Sequence, residues 1–529
     1  MKPDNYINIK EASLWASEYL KKEITPSSIS YLINYGRIEN KGNNGNVIID
    51  IDQLKTYYES YYGSREINWK DKLGSDIDWH LSFDNYREAE TTKHVHRLHP
   101  YKGKFIPQLV EYFLDDNIDE FKKEVFFNEG DIVLDPFCGS GTTLVQANEL
   151  GMHAIGIDIS KFNSLISNIK VRKHNLIELN RTIQYITSEL LEFVHTRKIY
   201  QFEEELLNEL NIFNTKYFPS PEYKRKVRTK EINEFEYGKK HEEIFHEVFN
   251  KLVTKYSIKV VQDNNGNSFI DNWYLHPVRE EIDFIFDKIK SVNDNDLKSL
   301  LTVILSRVIR SCRATTHSDL ATLLEPVSST YYCSKHGKIC KPLFSILSWW
   351  KRYTNDTIKR LSNFDRLRSN TFQICFSGDS RNIDLKSKLS GYSSNFSEIY
   401  NEKKIKGIFT SPPYVGLINY HEQHAYAYDL FGFERNDDLE IGPLFKGKGK
   451  EARNSYIEGI SQVLINSMKY LADDFNIFIV ANDKHNMYPE IAKRANLKIV
   501  QQFKRPVLNR TEKDKNAYSE SIFRMKKID

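Results

Sequence analysis

The sequence predicts an α/β fold: an open, mainly parallel sheet that carries a large, mainly helical insertion and a small N-terminal unit of helices and a hairpin. Short apolar runs followed by helical patterns occur at residues 132–150 and again from residue 153. Another apolar run lies far downstream at residues 405–409, and helical apolar spacing fills most of residues 171–370. Strands that alternate with helices are typical of a parallel sheet covered by helices.

A glycine-containing turn follows the first predicted strand. Residues 135–141 connect a short apolar run to a helix predicted at residues 142–150. Gly139 and Gly141 lack a Cβ atom, so the backbone can turn sharply there and approach a ligand closely. Asp158 ends the next predicted strand, at the edge where α/β sheets bind ligands and an acidic residue can accept hydrogen bonds from ribose hydroxyls. The region therefore predicts a nucleoside site.

Two other nucleotide-binding motifs do not fit this turn. A phosphate-binding loop requires a Lys followed by Ser or Thr after its last glycine, whereas Thr142 follows Gly141 directly. A dinucleotide-binding turn requires three glycines, a pattern that is missing here. A nucleoside cofactor without a critical pyrophosphate is the better interpretation.

A second motif, Thr410-Ser411-Pro412-Pro413-Tyr414, follows the predicted strand at residues 405–409. The two prolines fix φ and remove two backbone donors, which makes the loop stiff. Carbonyls and a hydroxyl beside an aromatic ring suit a planar base whose amino group donates hydrogen bonds while its face is stacked. A polyproline turn or docking motif is the alternative. The preceding strand and the upstream glycine turn favour the base-binding interpretation.

Together, the two segments resemble motifs I and IV of the S-adenosylmethionine-dependent DNA amino-methyltransferases, which methylate N4 of cytosine or N6 of adenine. Four more segments resemble motif X, motif III, a later strand and the terminal hairpin strand of that family: residues 99–107, 378–381, 476–480 and 517–526. The resemblance covers residues 96–170 and 371–529 and implies a Rossmann-like methyltransferase sheet in two parts.

The resemblance also implies residue roles. The cofactor S-adenosyl-L-methionine would be bound by Lys104, Phe105, Asp135, Phe137, Gly139, Gly141, Thr142, Asp158 and Asp379. Ser411 and the Pro412 carbonyl would accept hydrogen bonds from the target amine, Pro413 belongs to the same loop, and Tyr414 would stack on the flipped base. In this family, Ser at the first motif position is associated chiefly with N4-cytosine enzymes and Asn or Asp with N6-adenine enzymes. Ser411 therefore favours cytosine.

Direct methyl transfer needs no covalent intermediate. The lone pair of an exocyclic amine is delocalised into its ring, and acceptors that favour a tetrahedral nitrogen restore part of its reactivity. Orientation of the amine toward the methyl group is then most of the task. Cys138 lies in the cofactor turn rather than in a Pro-Cys target loop, which counts against a C5-cytosine enzyme.

Residues 1–62 form a separate unit that resembles the winged helix-turn-helix of MerR and excisionase proteins. Helical spacing begins at Ile9, Thr25 and Pro26 start a second helix, residues 42–46 form a hairpin tip, and residues 52–61 form a third helix. We expect Ser28, Tyr31 and Arg37 to face DNA. A module packed on the catalytic domain, or one used for protein contacts, is the alternative.

Residues 63–95 are predicted to be a linker, with Trp69 and Trp79 as docking anchors.

The insertion at residues 171–370 is assigned to target recognition because family enzymes place that function in an insertion. Its strongest basic patch spans residues 223–230 and contains Lys224, Arg225, Lys226 and Arg228, a Tyr/Lys/Arg mixture suited to phosphate contact. A solvated charged face is the alternative. Lys448 lies in a second basic segment, residues 446–450, that we expect to close over an extruded nucleotide.

Cys333, His336 and Cys340 have side chains suitable for zinc, with Cys312 or His317 as a fourth ligand. Their spacing fits no standard ligand pattern, and free Cys is often a small buried residue. The sequence analysis therefore assigns no metal. His421 and His424 follow the double-proline loop and are interpreted as DNA-facing or structural.

Composition sets looser bounds. A length of 529 residues favours several domains. The net charge of +3 and the pI near 8.2 are too mild to indicate nucleic-acid binding by themselves. Five Cys, an odd number, do not favour a disulfide framework. No stretch reaches the apolar length of a membrane span, and the N-terminus lacks a signal-peptide pattern, so we expect a cytoplasmic bacterial protein.

The function that follows is site-specific N4-cytosine methylation of double-stranded DNA, with restriction or defence proteins as possible companions. An N6-adenine DNA enzyme, an RNA guanine-N2 methyltransferase and an inactive DNA-binding regulator remain as alternatives.

Overall fold

The computed structural model describes residues 5–20, 23–34, 37–42, 46–59, 73, 77–83, 86, 88–101, 103–262, 268–317, 319, 323–507 and 518–528. The centre of the predicted wing tip, Trp69 and Lys102 of the motif X segment lie outside these residues. No helix of the described part of the chain combines the length and apolar character needed to cross a bilayer.

Eleven strands are present in the described chain, and seven of them form the central sheet. The strands are β1 Tyr6–Ile7, β2 Ile49–Asp50, β3 Ile132–Asp135, β4 His153–Asp158, β5 Tyr331–Cys333, β6 Lys338–Cys340, β7 Gln373–Ser377, β8 Ile405–Thr410, β9 Leu471–Ala481, β10 Leu497–Pro506 and β11 Ser519–Lys527. The central sheet has the order β10-β11-β9-β8-β3-β4-β7. Strands β9, β8, β3, β4 and β7 pair in parallel, and β11 is antiparallel to both β9 and β10.

The helices of the described chain are α1 Ile9–Tyr19, α2 Pro26–Asn34, α3 Ile51–Tyr58, α4 Glu88–Thr91, α5 Pro107–Leu114, α6 Thr142–Glu149, α7 Lys161–Val171, α8 Leu176–His195, α9 Lys198–Tyr217, α10 Glu222–Arg228, α11 Glu234–Tyr256, α12 Phe269–Trp273, α13 His276–Lys290, α14 Asn295–Ser311, α15 Leu347–Asp365, α16 Leu385–Tyr392, α17 Ser394–Lys403, α18 Ala425–Phe431, α19 Lys450–Met468 and α20 Tyr488–Arg494.

The centre of the sheet is buried on both faces. Every residue of β3 and β4 is buried, and their apolar side chains divide between two hydrophobic clusters, with Val133 and Ala154 in one and Ile132 and Ile155 in the other. Parallel strands covered on both faces have continuous apolar runs for this reason. The predicted α/β fold is confirmed: a mainly parallel sheet assembled from two distant parts of the chain, with many helices around it.

The insertion is mainly helical, as predicted, and also contains a two-stranded hairpin, β5–β6, that the sequence analysis did not anticipate. Helix α15 packs against α8 and α14. Trp350 on α15 is fully buried, and its Nε1–H donates to Thr187 Oγ1 at 2.9 Å. The insertion therefore has its own helical layer, which continues the core on one side of the sheet.

The N-terminal unit has a small core of its own, which includes Ala12, Ile29 and Leu54. Helices α1 and α2 lie where the sequence predicts them. Strand β2 pairs with β1, at Tyr6–Ile7, rather than across the predicted hairpin from Ile38. The ladder partner of β2 thus comes from the residues before α1, while the Lys41 N–H donates to the Ile48 carbonyl at 2.8 Å across the predicted hairpin. The winged helix-turn-helix remains a prediction.

Part of the predicted linker packs on the sheet. The backbone N–H of Asp78 donates to the carbonyl of Lys504 on β10 at 2.6 Å, and Asp78 Oδ2 accepts from the Lys504 N–H at 2.7 Å. Leu81 and Val95 are fully buried. Residues 77–83 therefore contact the edge of the sheet rather than only joining two domains.

Candidate active site

The glycine turn between β3 and α6 adopts a conformation that favours glycine. Gly139 has a φ of +51° and Gly141 a φ of +76°. A Cβ atom on Gly139 would lie 3.1 Å from the Tyr101 hydroxyl, and one on Gly141 would lie 2.9 Å from Ser167 Oγ. L side chains rarely adopt this backbone conformation, and the space beside both glycines is already filled. The turn is therefore fixed tightly against its neighbours.

Asp158 lies at the carboxyl end of β4 and faces the same turn. Its carboxylate accepts hydrogen bonds from the N–H of Gly139 at 2.7 Å, the N–H of Ser160 at 2.9 Å and Nδ2 of Asn163 at 3.1 Å. Burial raises the pKa of Asp158 to about 6, while these hydrogen bonds act to lower it. A carboxylate has about four lone-pair positions, so at least one remains for a ligand hydroxyl.

The double-proline loop is tied directly to the glycine turn. Strands β3 and β8 are parallel neighbours, so both loops leave the same edge of the sheet. The Thr410 hydroxyl donates to Asp135 Oδ1 at 2.6 Å, and the Thr143 hydroxyl donates to the Phe409 carbonyl at 3.3 Å. Segments that are 275 residues apart in sequence therefore meet through two side-chain hydrogen bonds.

One pocket, which encloses about 890 Å³ with its open mouth, contains residues of both segments. Ten of the predicted cofactor and catalytic residues line it: Lys104, Phe105, Asp135, Phe137, Gly139, Thr142, Asp158, Asp379, Ser411 and Pro413. Gly141, Pro412 and Tyr414 do not line it. Its buried carboxylates, aromatic rings and glycine turn fit the nucleoside part of S-adenosylmethionine.

Tyr414 lies beside the pocket rather than in its wall. Its hydroxyl donates to Glu520 Oε1 on β11 at 2.9 Å, and burial is the main cause that raises its pKa well above the usual value. The ring is partly buried against the hydrophobic cluster on that side of the sheet. Strand β11 thus fixes the direction in which the end of the double-proline motif points.

Two lysines contact the backbone around the pocket. Lys104 Nζ donates to the His96 carbonyl at 2.6 Å, and burial lowers the pKa of Lys104 to about 8. Lys170 on α7 is fully buried and donates to the Ser140 carbonyl at 2.6 Å. The sequence analysis did not identify Lys170. Its signal was the i,i+3 spacing from Ser167, whose hydroxyl donates to the Gly139 carbonyl at 3.1 Å on the same face of α7.

The segment after the double-proline loop adds residues that the sequence analysis did not assign to the pocket. Tyr420, His421 and Glu440 line it, and Glu440 accepts from the backbone N–H of His421 at 2.8 Å and contacts the His421 ring. His421 and His424 are both buried, so the structural interpretation of these two residues fits and the DNA-facing one does not. Glu440 belongs to no recognisable sequence motif. It lines the pocket only because its loop folds back over that region.

The predicted DNA-contacting residues lie outside the pocket. Ser28 and Tyr31 are exposed on α2, with 52% of Tyr31 accessible to solvent, and Arg37 is exposed after that helix. Lys448 is exposed in the loop before α19. All four residues are therefore accessible from solvent.

The basic helix α10 carries the other four predicted DNA contacts. Arg225, Lys226 and Arg228 are exposed, whereas Lys224 contacts the Ser334 carbonyl and forms an ion pair with Glu234 at 3.4 Å. Lys224 is thus partly used to hold the helix in place. Partial desolvation, followed by the charge of Arg37, lowers the pKa of the largely exposed Arg228.

Known proteins identify the family. The profile of the DNA methylase family N6_N4_Mtase matches residues 2–168. The Type II methyltransferase M.MjaII of Methanocaldococcus jannaschii is 47% identical over 521 residues, which are 98% of this chain and 96% of that protein.

Two shorter similarities accompany this one. The Type II methyltransferase M.MvaI of Kocuria varians is 28% identical over 123 residues, 23% of this chain and 26% of that protein. The tRNA (guanine(10)-N2)-dimethyltransferase of Methanocaldococcus jannaschii is 34% identical over 84 residues, 16% of this chain and 20% of that protein. Because the similarity to M.MjaII extends over nearly the whole chain, the chain belongs to the Type II DNA amino-methyltransferases, which depend on S-adenosylmethionine.

Proposed function

We propose that the chain methylates N4 of cytosine in duplex DNA, by flipping the base and transferring the methyl group directly. The observation that carries the proposal is the position of Ser411, which follows β8 and lines the same pocket as the glycine turn. A Ser at this motif position is the residue that the family resemblance associates with cytosine. The hydroxyl is a hydrogen-bond acceptor for an exocyclic amine.

The residues of the chain supply binding and orientation. Asp158, Asp379 and the glycine turn would hold the nucleoside part of the cofactor, and Lys170 and Ser167 support that turn from behind. Bound S-adenosylmethionine supplies an electrophilic methyl group on a positively charged sulfur.

Ser411 Oγ and the Pro412 carbonyl would accept hydrogen bonds from the target amine and direct its lone pair toward the methyl group. The prolines restrict the loop, so little conformational freedom is lost when the base enters. The Tyr414 ring would stack on the base, held in direction by its hydrogen bond to Glu520. The main contribution of the protein is therefore a preorganised geometry.

Three surfaces support a duplex substrate. The N-terminal unit, helix α10 and the Lys448 loop each expose basic or polar residues. We assign DNA contact to Ser28, Tyr31 and Arg37, to Lys224, Arg225, Lys226 and Arg228, and to Lys448. The same proposal assigns target recognition to residues 171–370. It also includes companion restriction or defence proteins and a cytoplasmic bacterial location.

The test is identification of the methylated base. The purified chain is incubated with labelled S-adenosylmethionine and with either duplex DNA or structured RNA, and the product nucleosides are separated. Label in N4-methylcytosine supports the proposal. Label in N6-methyladenine replaces it with the second candidate, which the name of the matching family allows. Label only in RNA guanine overturns it, and the 84-residue similarity to a tRNA methyltransferase makes that comparison worthwhile.

A further inference from the structure

Four potential metal ligands converge in the insertion, away from the cofactor pocket. One ligand atom from each of His317, Cys333, His336 and Cys340 lies within 4.8 Å of the other three. In a tetrahedral site with Zn–S near 2.3 Å and Zn–N near 2.0–2.1 Å, neighbouring ligand atoms are roughly 3.3–3.8 Å apart. The distance from His336 Nδ1 to Cys340 Sγ is already 3.4 Å. Small side-chain rotations would bring the other pairs to the same spacing.

The hairpin β5–β6 presents three of the four ligands. Cys333 ends β5, Cys340 ends β6, and His336 lies in the turn between them. The turn is closed by the Gly337 N–H, which donates to the Cys333 carbonyl at 2.7 Å, and Gly337 has a φ of +62°. Cys-x2-His-x3-Cys is therefore a spacing set by the hairpin, which explains why it matches no standard linear pattern.

His317 comes from the loop after α14 and completes the set. The Tyr331 hydroxyl lies 2.8 Å from His317 Nδ1. A hydrogen bond to one ring nitrogen leaves the other available to a metal and fixes the ring orientation, as is usual for histidine ligands. Cys312, the other candidate for the fourth ligand, is not part of the cluster.

The chemistry of the four side chains selects the metal. Two thiolates and two imidazoles in a tetrahedral arrangement suit Zn²⁺ and not Mg²⁺ or Ca²⁺, which prefer oxygen. Cys333 and Cys340 are buried and form no disulfide. Because all four positions are filled by protein, the site is structural rather than catalytic.

The hairpin also supports the basic helix α10. Lys224 of α10 contacts the Ser334 carbonyl and packs over Gly337, and Tyr223 donates to or accepts from the Tyr332 hydroxyl at 2.8 Å. From the other side, Asn214 of α9 exchanges hydrogen bonds with both backbone groups of Ile339, at 2.9 and 3.0 Å. A rigid hairpin therefore fixes the position of α10.

We propose that His317, Cys333, His336 and Cys340 bind one structural Zn²⁺, which holds the β5–β6 hairpin and through it the basic helix α10. This proposal differs from the sequence analysis, which assigned no metal. The consequence for DNA binding rests on the proposed function, but the metal site does not.

The first test measures metal alone. The full chain, purified without chelators, is expected to contain about one zinc ion per chain by mass spectrometry of the metal. Cys333→Ser and Cys340→Ser are expected to lose it, and Cys312→Ser, the matched control, is expected to retain it. Wild-type protein without zinc that also fails to take up added Zn²⁺ would overturn the proposal. Loss of zinc in Cys312→Ser with retention in His317→Ala would overturn the ligand assignment.

A second measurement does not depend on variants that fold. Exchange of the metal in the intact chain for Co²⁺ is expected to give intense visible bands of a tetrahedral site and a thiolate charge-transfer band. Weak visible bands, which are typical of octahedral Co²⁺, would contradict the site. A Cys333–Cys340 disulfide found by peptide mapping would contradict it as well.

Removal of zinc by a chelator is then expected to weaken binding of a duplex several-fold while the affinity for S-adenosylmethionine stays unchanged. Equal duplex binding with and without zinc would refute the link to α10. Because zinc content is independent of DNA, failure of the proposed function would leave the metal measurements intact.

Discussion

Backbone geometry positions the groups of the cofactor pocket, whereas side-chain contacts position the basic helix of the insertion. The parallel register of β3 and β8 brings Thr410 to Asp135 over a separation of 275 residues. Helix α10 is seven residues long and depends on the hairpin beside it through Tyr223 and Lys224. Register in a buried sheet tolerates no slip, because one residue of shift turns every side chain to the other face. The pocket should therefore be sensitive to changes that disturb its backbone or its catalytic loop, whereas loss of one exposed cation from α10 should have a small effect.

The largest effect is expected from Ser411→Ala. Removal of the hydroxyl takes away an acceptor for the target amine, and loss of one such preorganised group lowers turnover on the order of 100-fold. Affinity for the cofactor should change little. Single-turnover kinetics measure methylation, and calorimetry measures the cofactor affinity.

Ser390→Ala, on an exposed face of α16, is the matched control and should behave like the wild type. Wild-type turnover in Ser411→Ala would exclude the hydroxyl from the chemistry.

Gly139→Ala sharpens the claim that backbone geometry governs the pocket. The new Cβ would lie 3.1 Å from the Tyr101 hydroxyl and 3.2 Å from its ring, in a backbone with φ of +51°. We expect a free energy of unfolding lower by about 1–2 kcal/mol and a cofactor affinity about 10-fold weaker. Thermal unfolding and calorimetry measure the two quantities. Gly391→Ala is the control, because its Cβ would meet nothing within 4 Å. Equal behaviour of the two variants would contradict the argument.

A pH dependence is expected from Asp158. Burial raises its pKa from 3.8 to about 6, so between these values the folded chain holds the proton more tightly than the unfolded chain. The contribution of Asp158 to stability is therefore greatest below pH 3.8 and is lost as the pH rises through 6.

Cofactor affinity should change in the opposite direction, because ribose hydroxyls donate to the ionised carboxylate. Calorimetry across the range is expected to show affinity that rises through pH 6 and then levels off. Asp158→Asn should remove this slope. Asp135 also has its pKa raised to about 6 by burial, so Asp135→Asn tests which carboxyl is responsible. A slope that persists in Asp158→Asn and disappears in Asp135→Asn would reassign it.

The smallest effect is expected from Lys226→Ala on α10. One lost phosphate contact should weaken duplex binding about 2- to 5-fold and reduce the slope of log affinity against log salt by about one. Fluorescence anisotropy at several salt concentrations measures both. Lys290→Ala, an exposed residue on α13 in the same insertion, is the control. An unchanged salt slope in Lys226→Ala would remove α10 from the DNA surface.

Patterns within short segments of the sequence predicted several strands and helices of the sheet region. The strand before the glycine turn and the helix after it were predicted to within a residue or two, because a buried strand must be apolar and its turn needs glycine. The hairpin β5–β6 was missed, since its strands are three residues long and contain Cys and Lys rather than an alternating apolar pattern. The pairing of β2 with β1 was also missed, because two-residue strands leave no period to detect.

The sequence by itself determined the chemistry: a glycine turn, an acidic strand end and a stiff Ser-Pro-Pro-Tyr loop are recognisable wherever they fall in the chain, because each depends on local backbone and side-chain properties. Only the tertiary structure decided which distant groups meet. It placed Glu440 in the pocket wall, set Lys170 behind the glycine turn and turned Tyr414 toward Glu520. It also brought His317 to Cys333, His336 and Cys340. Such contacts depend on chain crossings and loop paths, which residue types and spacing do not encode.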